Sequence, residues 1–168
     1  MSSSRRIAVT DAEAFLAYFA RLTRLDPERV ERPEDVAKLD VSMELSWIER
    51  RLDAERAGEM VVRCAEADGE IVALGELERL RRWIERHVAE IRFGVLPGHQ
   101  EAARELVADL ESRAREKGIE VLVYFHLATQ TAGLAIMRSL GYEEIGRIPR
   151  FYKRDSEYVE RVYLTKRL

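Results

Sequence analysis

The sequence predicts an α/β fold, in which helices flank one mixed sheet. Three features indicate it: a strand, a turn and a helix in succession over residues 88–117, an Asp68-Gly69 turn between two strand-like runs, and the continuous apolar run IEVLVYFHL. The predicted order of elements is βααβββαβαββ. We expect antiparallel strands in the N-terminal half, central strands at 88–96 and 119–126, and a C-terminal β-hairpin.

Length and composition limit the class of protein. A chain of 168 residues, 46% of them hydrophobic, is long enough for one domain with a core, which we expect to span 1–168. Charged residues make up 35% of the chain, but the net charge is only −3, which gives no basis for non-specific binding to nucleic acid. No segment approaches the roughly 20 apolar residues of a membrane span. MSSSRR is not followed by the apolar run of a secretory signal. We expect a cytoplasmic protein that binds neither nucleic acid nor membrane.

Cysteine and histidine give no sign of a reactive or metal centre. The single cysteine, Cys64, lies in the apolar run MVVRCAEA and is expected to be a buried core residue in a reducing compartment. His87, His99 and His126 do not have the spacing of metal ligands, so we expect no metal. His126 follows an apolar run and is interpreted as a core or edge residue, with a contact to cofactor or acceptor as the alternative.

The first part of the chain predicts two helices separated by a charged segment. Residues 6–10 form a short strand-like start, and a helix follows over 11–26. Residues 26–40 carry two of the four prolines and many charges, and they are interpreted as a loop or broken helix that faces a substrate. A second helix is predicted over 41–57. The predicted apolar face of the first helix is formed by Phe15, Leu16, Phe19, Ala20 and Leu22 or Thr23, and that of the second by Met43, Leu45, Trp47, Ile48 and Leu52.

The second part of the chain alternates strands and helices. Strands at 60–67 and 71–80 form the predicted hairpin, and the strand 88–96 alternates apolar and polar residues. Apolar residues then recur at helical spacing from 101 to 117. After the strand 119–126, ATQTAGLAIMRSLGY predicts a helix. The final predicted strands, 144–148 and 158–164, are joined by a polar turn.

A short turn between a strand and a helix leaves free backbone N–H groups at the start of the helix near Glu101. Such a helix start carries a partial positive charge and is suited to a phosphate group. The residues alone leave two interpretations open: a phosphate site, or an ordinary strand–helix unit of an α/β fold.

Four segments carry a resemblance to a known family: AEIRFGVLP, the helix ending in EKGIEVLVYF, GLAIMRSLGYEEIGRIPRFY, and the closing SEYVERVYLTKRL. In this order they resemble the GNAT superfamily of acetyl-CoA-dependent N-acyltransferases, over nearly the whole chain. The resemblance implies that the fourth and fifth strands, 88–96 and 119–126, splay apart. The pantetheine arm of acetyl-CoA would then pair with the strand backbone.

The resemblance implies direct transfer of an acetyl group to a primary amine, with no covalent enzyme intermediate. The acceptor would be a protein N-terminus, a lysine or a small amine. Glu90 stands where several members of the family keep a glutamate as the general base, and partial burial raises the pKa of a carboxyl group enough for this task. Glu76 and Glu78 are the reserve candidates, followed by His87. The alternative for Glu90 is a strand residue that points to solvent or is paired with Arg92 or Arg79.

The implied cofactor site spans the end of one strand and the starts of two helices. The strand end would contact pantetheine and the acyl group, residues 98–104 would hold the phosphates, and Gln130 opens the second cofactor helix. The implied residues are Phe93, Gly94, Val95, Leu96, Gly98, His99, Gln100, Glu101, Ala102, Ala103, Arg104, Gln130 and Met137.

The sequence departs from the pattern of the family at three places. Gln130 stands where the family often has an asparagine that opens the second cofactor helix. In GHQEAARE, Ala103 replaces the first glycine of the phosphate loop, and Glu105 replaces the last small residue. The tyrosine that protonates the leaving thiolate falls at Met137, so Tyr142 is predicted to take that role, with Tyr152 or water as alternatives. A catalytically degenerate binding or regulatory module of the same fold is the alternative function. The exposed edge of the C-terminal hairpin makes a homodimer possible.

Overall fold

A seven-stranded mixed sheet forms the centre of the fold in the computed structural model, which describes residues 3–168. The strand order across the sheet is β1-β2-β3-β4-β5-β7-β6. Neighbouring strands are antiparallel except for β4 and β5, which are parallel. The strands are β1 Ser3–Arg6, β2 Met60–Ala67, β3 Glu70–Arg79, β4 Val88–Val95, β5 Val121–Leu127, β6 Glu143–Arg154 and β7 Glu157–Arg167.

Within residues 3–168, five α-helices flank the sheet, on both of its faces. Adjacent residues of a strand point to opposite faces. A Cβ on Gly75 of β3 would meet Leu106 and Leu110, whereas a Cβ on Gly94, the β4 partner of Leu74, would meet Tyr18. The helices that carry these side chains therefore lie on opposite faces. The helices are α1 Ala12–Leu25, α2 Pro33–Val36, α3 Val41–Arg56, α4 Gln100–Glu116 and α5 Thr131–Ser139.

The predicted fold class is confirmed: helices flank a mixed sheet with N-terminal antiparallel strands and a C-terminal hairpin. The Asp68-Gly69 turn joins β2 and β3, and both of its residues have positive φ, 53° and 79°. That geometry is typical of a tight two-residue hairpin, in which the turn follows the twist of the strands. Cys64 is 0% exposed, as predicted, and burial raises the pKa of its thiol to about 11.

Element boundaries differ from the predictions at both ends of the chain. The first strand is Ser3–Arg6, not 6–10, because the carboxylate of Asp11 accepts hydrogen bonds from Ala8 N–H (2.7 Å) and Arg5 (2.8 Å) and turns the chain there. The C-terminal strands β6 and β7 are longer than predicted. Their pairing continues beyond an irregularity that contains Arg150, whose φ is 56°.

The apolar faces of the first helices were only partly predicted. Tyr18 of α1 is 2% exposed although it was left out of the predicted face, and Met43 of α3 is 49% exposed although it was included. The charged segment 26–40 contains the short helix α2. Among the described residues, no helix combines the length and the hydrophobicity that a bilayer crossing requires.

We predict that Leu110→Ala lowers the free energy of unfolding by about 3 kcal/mol, because Leu110 is 0% exposed and packs against Gly75 between α4 and the sheet. Urea denaturation measures the change. Ser112→Ala on the exposed side of the same helix is the control and should change stability by less than about 0.5 kcal/mol. A loss of equal size in both variants would contradict this packing.

Candidate active site

The central parallel pair of the sheet opens along its length. β4 and β5 are joined by only three residue pairs, from Val88–Val121 to Glu90–Val123. Both strands then continue to their C-terminal ends without pairing with each other. The predicted splay between the fourth and fifth strands is therefore present, and we call the space between them the gap.

The alternation of hydrogen bonds along β4 identifies the backbone groups that face the gap. The N–H of Leu96 donates to the carbonyl of Val72 over 2.9 Å, on the β3 side. In an antiparallel pair, every second residue exchanges hydrogen bonds with the partner strand, so Gly94 also bonds toward β3. The N–H and C=O groups of Phe93 and Val95 consequently point into the gap.

The same reasoning applies to β5. The N–H of Ala128, just beyond its end, donates to the carbonyl of Glu160 on the β7 side over 3.0 Å. The alternate residues Phe125 and Leu127 therefore direct their backbone groups into the gap. Backbone groups need hydrogen-bond partners, so the gap is lined on both sides by groups available to water or a ligand.

Two adjoining cavities open at the gap, with volumes of about 300 and 270 Å³. Both are lined by Arg29, Phe93, Gly94, His126 and Gln130. The first cavity extends toward α1, α3 and β6, and the second extends toward the starts of α4 and α5. Further lining residues of the first are Tyr18, Phe19, Trp47, Arg51, Glu76, Tyr124 and Tyr152, and of the second Asp26, Leu96, Pro97, Gln100, Thr131 and Gly133.

The first cavity contains charges of both signs, held in ion pairs. The two oxygens of Glu76 contact Arg51 Nε (2.9 Å) and Arg92 Nη2 (3.3 Å). Arg29 Nε lies 3.1 Å from a carboxylate oxygen of Glu31. Both carboxylate oxygens of Glu76 are therefore engaged by guanidinium groups.

Glu90 lies next to this network but does not line either cavity. Its Oε1 is 3.3 Å from Arg92 Nη1, the partner considered in the alternative interpretation. Burial raises the pKa of the Glu90 carboxyl group, although Arg92 opposes the shift, and nearby Glu78 adds to it. Among the reserve bases, Glu76 lines the first cavity, whereas Glu78 and His87 line neither.

The residues implied for cofactor binding divide into two groups. Those that line the second cavity are Phe93, Gly94, Val95, Leu96, Gln100 and Gln130. Those that line neither cavity are Gly98, His99, Glu101, Ala102, Ala103, Arg104 and Met137. Of the strand-end residues, Phe93 and Val95 offer backbone groups to the gap, while Gly94 and Leu96 use theirs toward β3.

The start of α4 carries two buried alanines. Ala102 is 5% and Ala103 is 0% exposed, so their side chains are part of the packing of the helix against the sheet. Glu101 is exposed, and its negative charge is paired with Arg104 over 3.0 Å. The first N–H groups of a helix have no partner within the helix, which leaves those near Gln100 available at the edge of the second cavity.

Neither Tyr142 nor Met137 reaches the cavities. Met137 is 0% exposed and Tyr142 is 3% exposed, and both belong to the core between α4, α5 and the sheet. Burial and the nearby carboxylate of Glu111 raise the pKa of Tyr142. Tyr152, the other tyrosine considered from the sequence, lines the first cavity.

The segment that joins α1 to α2 crosses the mouth of the gap. Gln130 Nε2 donates to Asp26 Oδ2 over 2.9 Å and so ties this segment to the start of α5. Arg154 of β6 holds it from the other side, with bonds to Glu28 Oε2 (3.1 Å) and to the carbonyl of Arg29 (2.8 Å). The sequence suggested a substrate-facing segment at 26–40, but it did not indicate these partners.

His126 stands in the gap beside α5. Burial, with help from the positive charge of Arg29, lowers the pKa of its imidazole to about 4, so the ring is neutral at physiological pH. A Cβ on Gly133 would lie 3.0 Å from the His126 ring, so the absence of a side chain at Gly133 leaves space for the imidazole. Because His126 lines both cavities, a ligand in either cavity could contact its side chain, as the alternative interpretation of His126 requires.

Within residues 3–168, no group of three or more histidine, cysteine, aspartate or glutamate side chains is arranged to hold a metal ion.

The central parallel strands of this mixed sheet part over two cavities lined by free backbone groups. This arrangement is typical of acetyltransferases with an α/β fold. The sequence matches the Acetyltransferase (GNAT) family over residues 20–142. The chain therefore belongs to the GNAT acetyltransferase family. No curated protein matches the sequence significantly.

Solved structures share the fold at low sequence identity. A GNAT-family acetyltransferase from Streptococcus pneumoniae has a TM-score of 0.86 and 13% identity, with 100% of both chains covered. The ribosomal-protein-alanine N-acetyltransferase of Brucella melitensis has a TM-score of 0.81 and 24% identity, with 99% of each chain covered. A phosphinothricin acetyltransferase from Sinorhizobium meliloti, solved with acetyl-CoA, has a TM-score of 0.80 and 13% identity. The match covers 99% of this chain and 88% of the Sinorhizobium chain.

We predict that the free energy of unfolding falls as the pH drops from 6.5 toward 4, by up to about 3 kcal/mol, through His126. The pKa of this imidazole is about 4 in the folded protein and about 6.5 in the unfolded chain, so the unfolded chain binds the proton first. Urea denaturation between pH 7 and pH 5 measures the slope. His126→Gln should flatten it, whereas His87→Gln, at an exposed position, should not. An unchanged slope in His126→Gln would contradict the assignment.

Proposed function

We propose that this protein transfers the acetyl group of acetyl-CoA to a primary amine, by direct attack of the amine on the thioester. The observation that carries the proposal is the parting of β4 and β5 after three residue pairs, which leaves the N–H groups of Phe93 and Val95 without strand partners. Membership of the GNAT acetyltransferase family supports acetyl-CoA as the co-substrate.

The gap and the second cavity suit the two chemically different parts of acetyl-CoA. The pantetheine arm is a chain of amides, and the free backbone groups of Phe93 and Val95 offer it the hydrogen bonds of an added strand. The phosphates would lie at the start of α4, where free N–H groups near Gln100 and the helix dipole favour negative charge. The ion pair of Glu101 with Arg104 reduces the repulsion from that carboxylate.

Glu90 is the proposed general base. Its pKa is raised by burial, which makes it a stronger base than an exposed carboxylate. Glu76 lines the first cavity, but two guanidinium groups already engage its carboxylate oxygens. Because Glu90 does not line the cavity, we propose that a water molecule carries the proton from the amine to Glu90.

The first cavity is the proposed acceptor site. Its aromatic walls and mixed charges accommodate an amine. The proposed acceptor is a protein N-terminus, a lysine or a small amine.

We also propose a cytoplasmic location and a homodimer. The homodimer is proposed because the edge strand β6 exposes the apolar side chains of Ile145, Ile148 and Phe151. Sedimentation equilibrium tests the dimer.

We predict that acetyl-CoA raises the melting temperature by about 5–10 °C at about 100 times its dissociation constant, because it binds only the folded state. The release of the CoA thiol in the presence of a panel of amines then measures transfer. No shift at millimolar acetyl-CoA would contradict the proposal. Binding without transfer to any amine would favour the degenerate binding or regulatory module.

We predict that Glu90→Gln lowers kcat about 100-fold, because it removes the general base. In the wild-type protein, kcat/KM should rise with pH through a midpoint above the ordinary range for glutamate, since burial raises that pKa. The pH profile of Glu76→Gln, measured in parallel, should keep this rise. Loss of the rise in Glu76→Gln, with an intact rise in Glu90→Gln, would assign the base to Glu76.

A further inference from the structure

We propose that the hydroxyl group of Tyr124 donates a hydrogen bond to the thioester sulfur as that sulfur leaves. The inference rests on the proposed acetyl transfer and assigns a catalytic residue that the sequence did not indicate. When an amine displaces a thiol from an acyl group, negative charge develops on the sulfur. A site shielded from water must supply a donor for that charge.

Tyr124 carries a donor that the fold itself does not use. The residue is 1% exposed, and its hydroxyl oxygen is buried without a hydrogen-bond partner. An unpaired buried hydroxyl group destabilises a fold, because it has lost its bonds to water and gained none. Such a group beside a cavity indicates a partner that arrives with the ligand.

The hydroxyl of Tyr124 lies where the two cavities meet. Tyr124 itself lines the first cavity. Its Oη is 3.3 Å from the point that a Cβ on Gly133 would occupy, and Gly133 lines the second cavity. The next residue of β5, Phe125, directs its backbone into the gap. The hydroxyl is therefore positioned between the proposed acceptor and cofactor sites, where the reacting thioester must lie.

Two ring contacts fix the direction of this donor. The ring of Tyr124 stacks on Phe93 of β4, with centroids 5.8 Å apart and an angle of 22° between the planes. It also packs against His126, with centroids 5.4 Å apart. Because Phe93 comes from the other strand, the stack spans the gap. A donor held in place before the reaction needs no reorganisation when charge develops.

The protonation state of Tyr124 agrees with donation. Burial raises the pKa of its phenol well above the ordinary value, so the O–H is present at every physiological pH. Met137, at the place of the tyrosine in the family pattern, has no proton to donate. Tyr142 lines neither cavity. Tyr124 thus supplies, from β5, a hydroxyl group that α5 lacks at Met137.

The step balances without any further reactant. The amine nitrogen forms a bond to the carbonyl carbon, and the carbon–sulfur bond breaks with its electron pair on sulfur. The amine proton passes through water to the carboxylate of Glu90. The Tyr124 hydroxyl holds the thiolate. As CoA leaves, the solvent protonates the thiolate and Glu90 returns the amine proton to the solvent, so no net proton is gained or lost.

Tyr124→Phe tests the assignment with little change in packing. We expect kcat to fall about 10- to 100-fold, which is the range for losing one hydrogen bond to a charged group, with KM for acetyl-CoA changed by less than about twofold. The melting temperature should stay equal or rise, because no buried hydroxyl is left unpaired. Tyr158→Phe, at an exposed position of β7, is the matched control and should keep the wild-type kcat.

A second measurement needs no turnover. The thiol of bound CoA is titrated by the ultraviolet absorbance of its thiolate. It should ionise about one pH unit lower in the wild-type complex than in the Tyr124→Phe complex. The assignment would be overturned by any of three results: the same thiol titration in both complexes, an unchanged kcat in Tyr124→Phe, or a loss of kcat in Tyr142→Phe as large as that in Tyr124→Phe. Bound CoA with shifted thiol ionisation but no acetyl transfer to any amine would instead overturn the proposed function alone.

Discussion

The early end of pairing between β4 and β5 is the constraint on which the site depends. Three residue pairs join the strands, and beyond them the backbone of each strand is bonded on one side only. The rings of Phe93 and Tyr124, one from each of the parted strands, stack on each other, and Arg29 lines both cavities. The open edge therefore belongs to the architecture of the sheet, and it leaves polar backbone groups for a ligand to satisfy.

Burial then sets the chemical state of the groups around this gap. His126 is neutral, Tyr124 keeps its proton, and the carboxyl group of Glu90 has a raised pKa, in each case chiefly through loss of water. Glu76, in contrast, has both carboxylate oxygens in contact with arginine side chains. A neutral hydroxyl donor and a carboxylate of increased basicity are the two groups that the proposed acyl transfer to an amine requires.

Local patterns were sufficient to predict most of the fold. Alternation of apolar residues, the Asp68-Gly69 turn and the helical spacing after Glu101 each depend on neighbours in sequence, so they indicate strands, a hairpin and a helix directly. The candidate site depends on contacts between distant segments. Gln130 bonds Asp26, and Tyr124 stacks on Phe93, and no local pattern encodes either contact. The choice of Tyr142 as proton donor relied on its proximity to Met137 in sequence, whereas its burial in the core is a property of the packed structure.

Amide hydrogen exchange at Phe93 and Val95, measured by NMR with and without acetyl-CoA, tests the central claim most directly. The account predicts that exchange of both amides slows on binding, because the pantetheine arm takes up N–H groups that no strand occupies. The amides of Gly94 and Leu96, already bonded toward β3, should change little and serve as internal controls. Binding of acetyl-CoA with no change at Phe93 or Val95 would contradict the account.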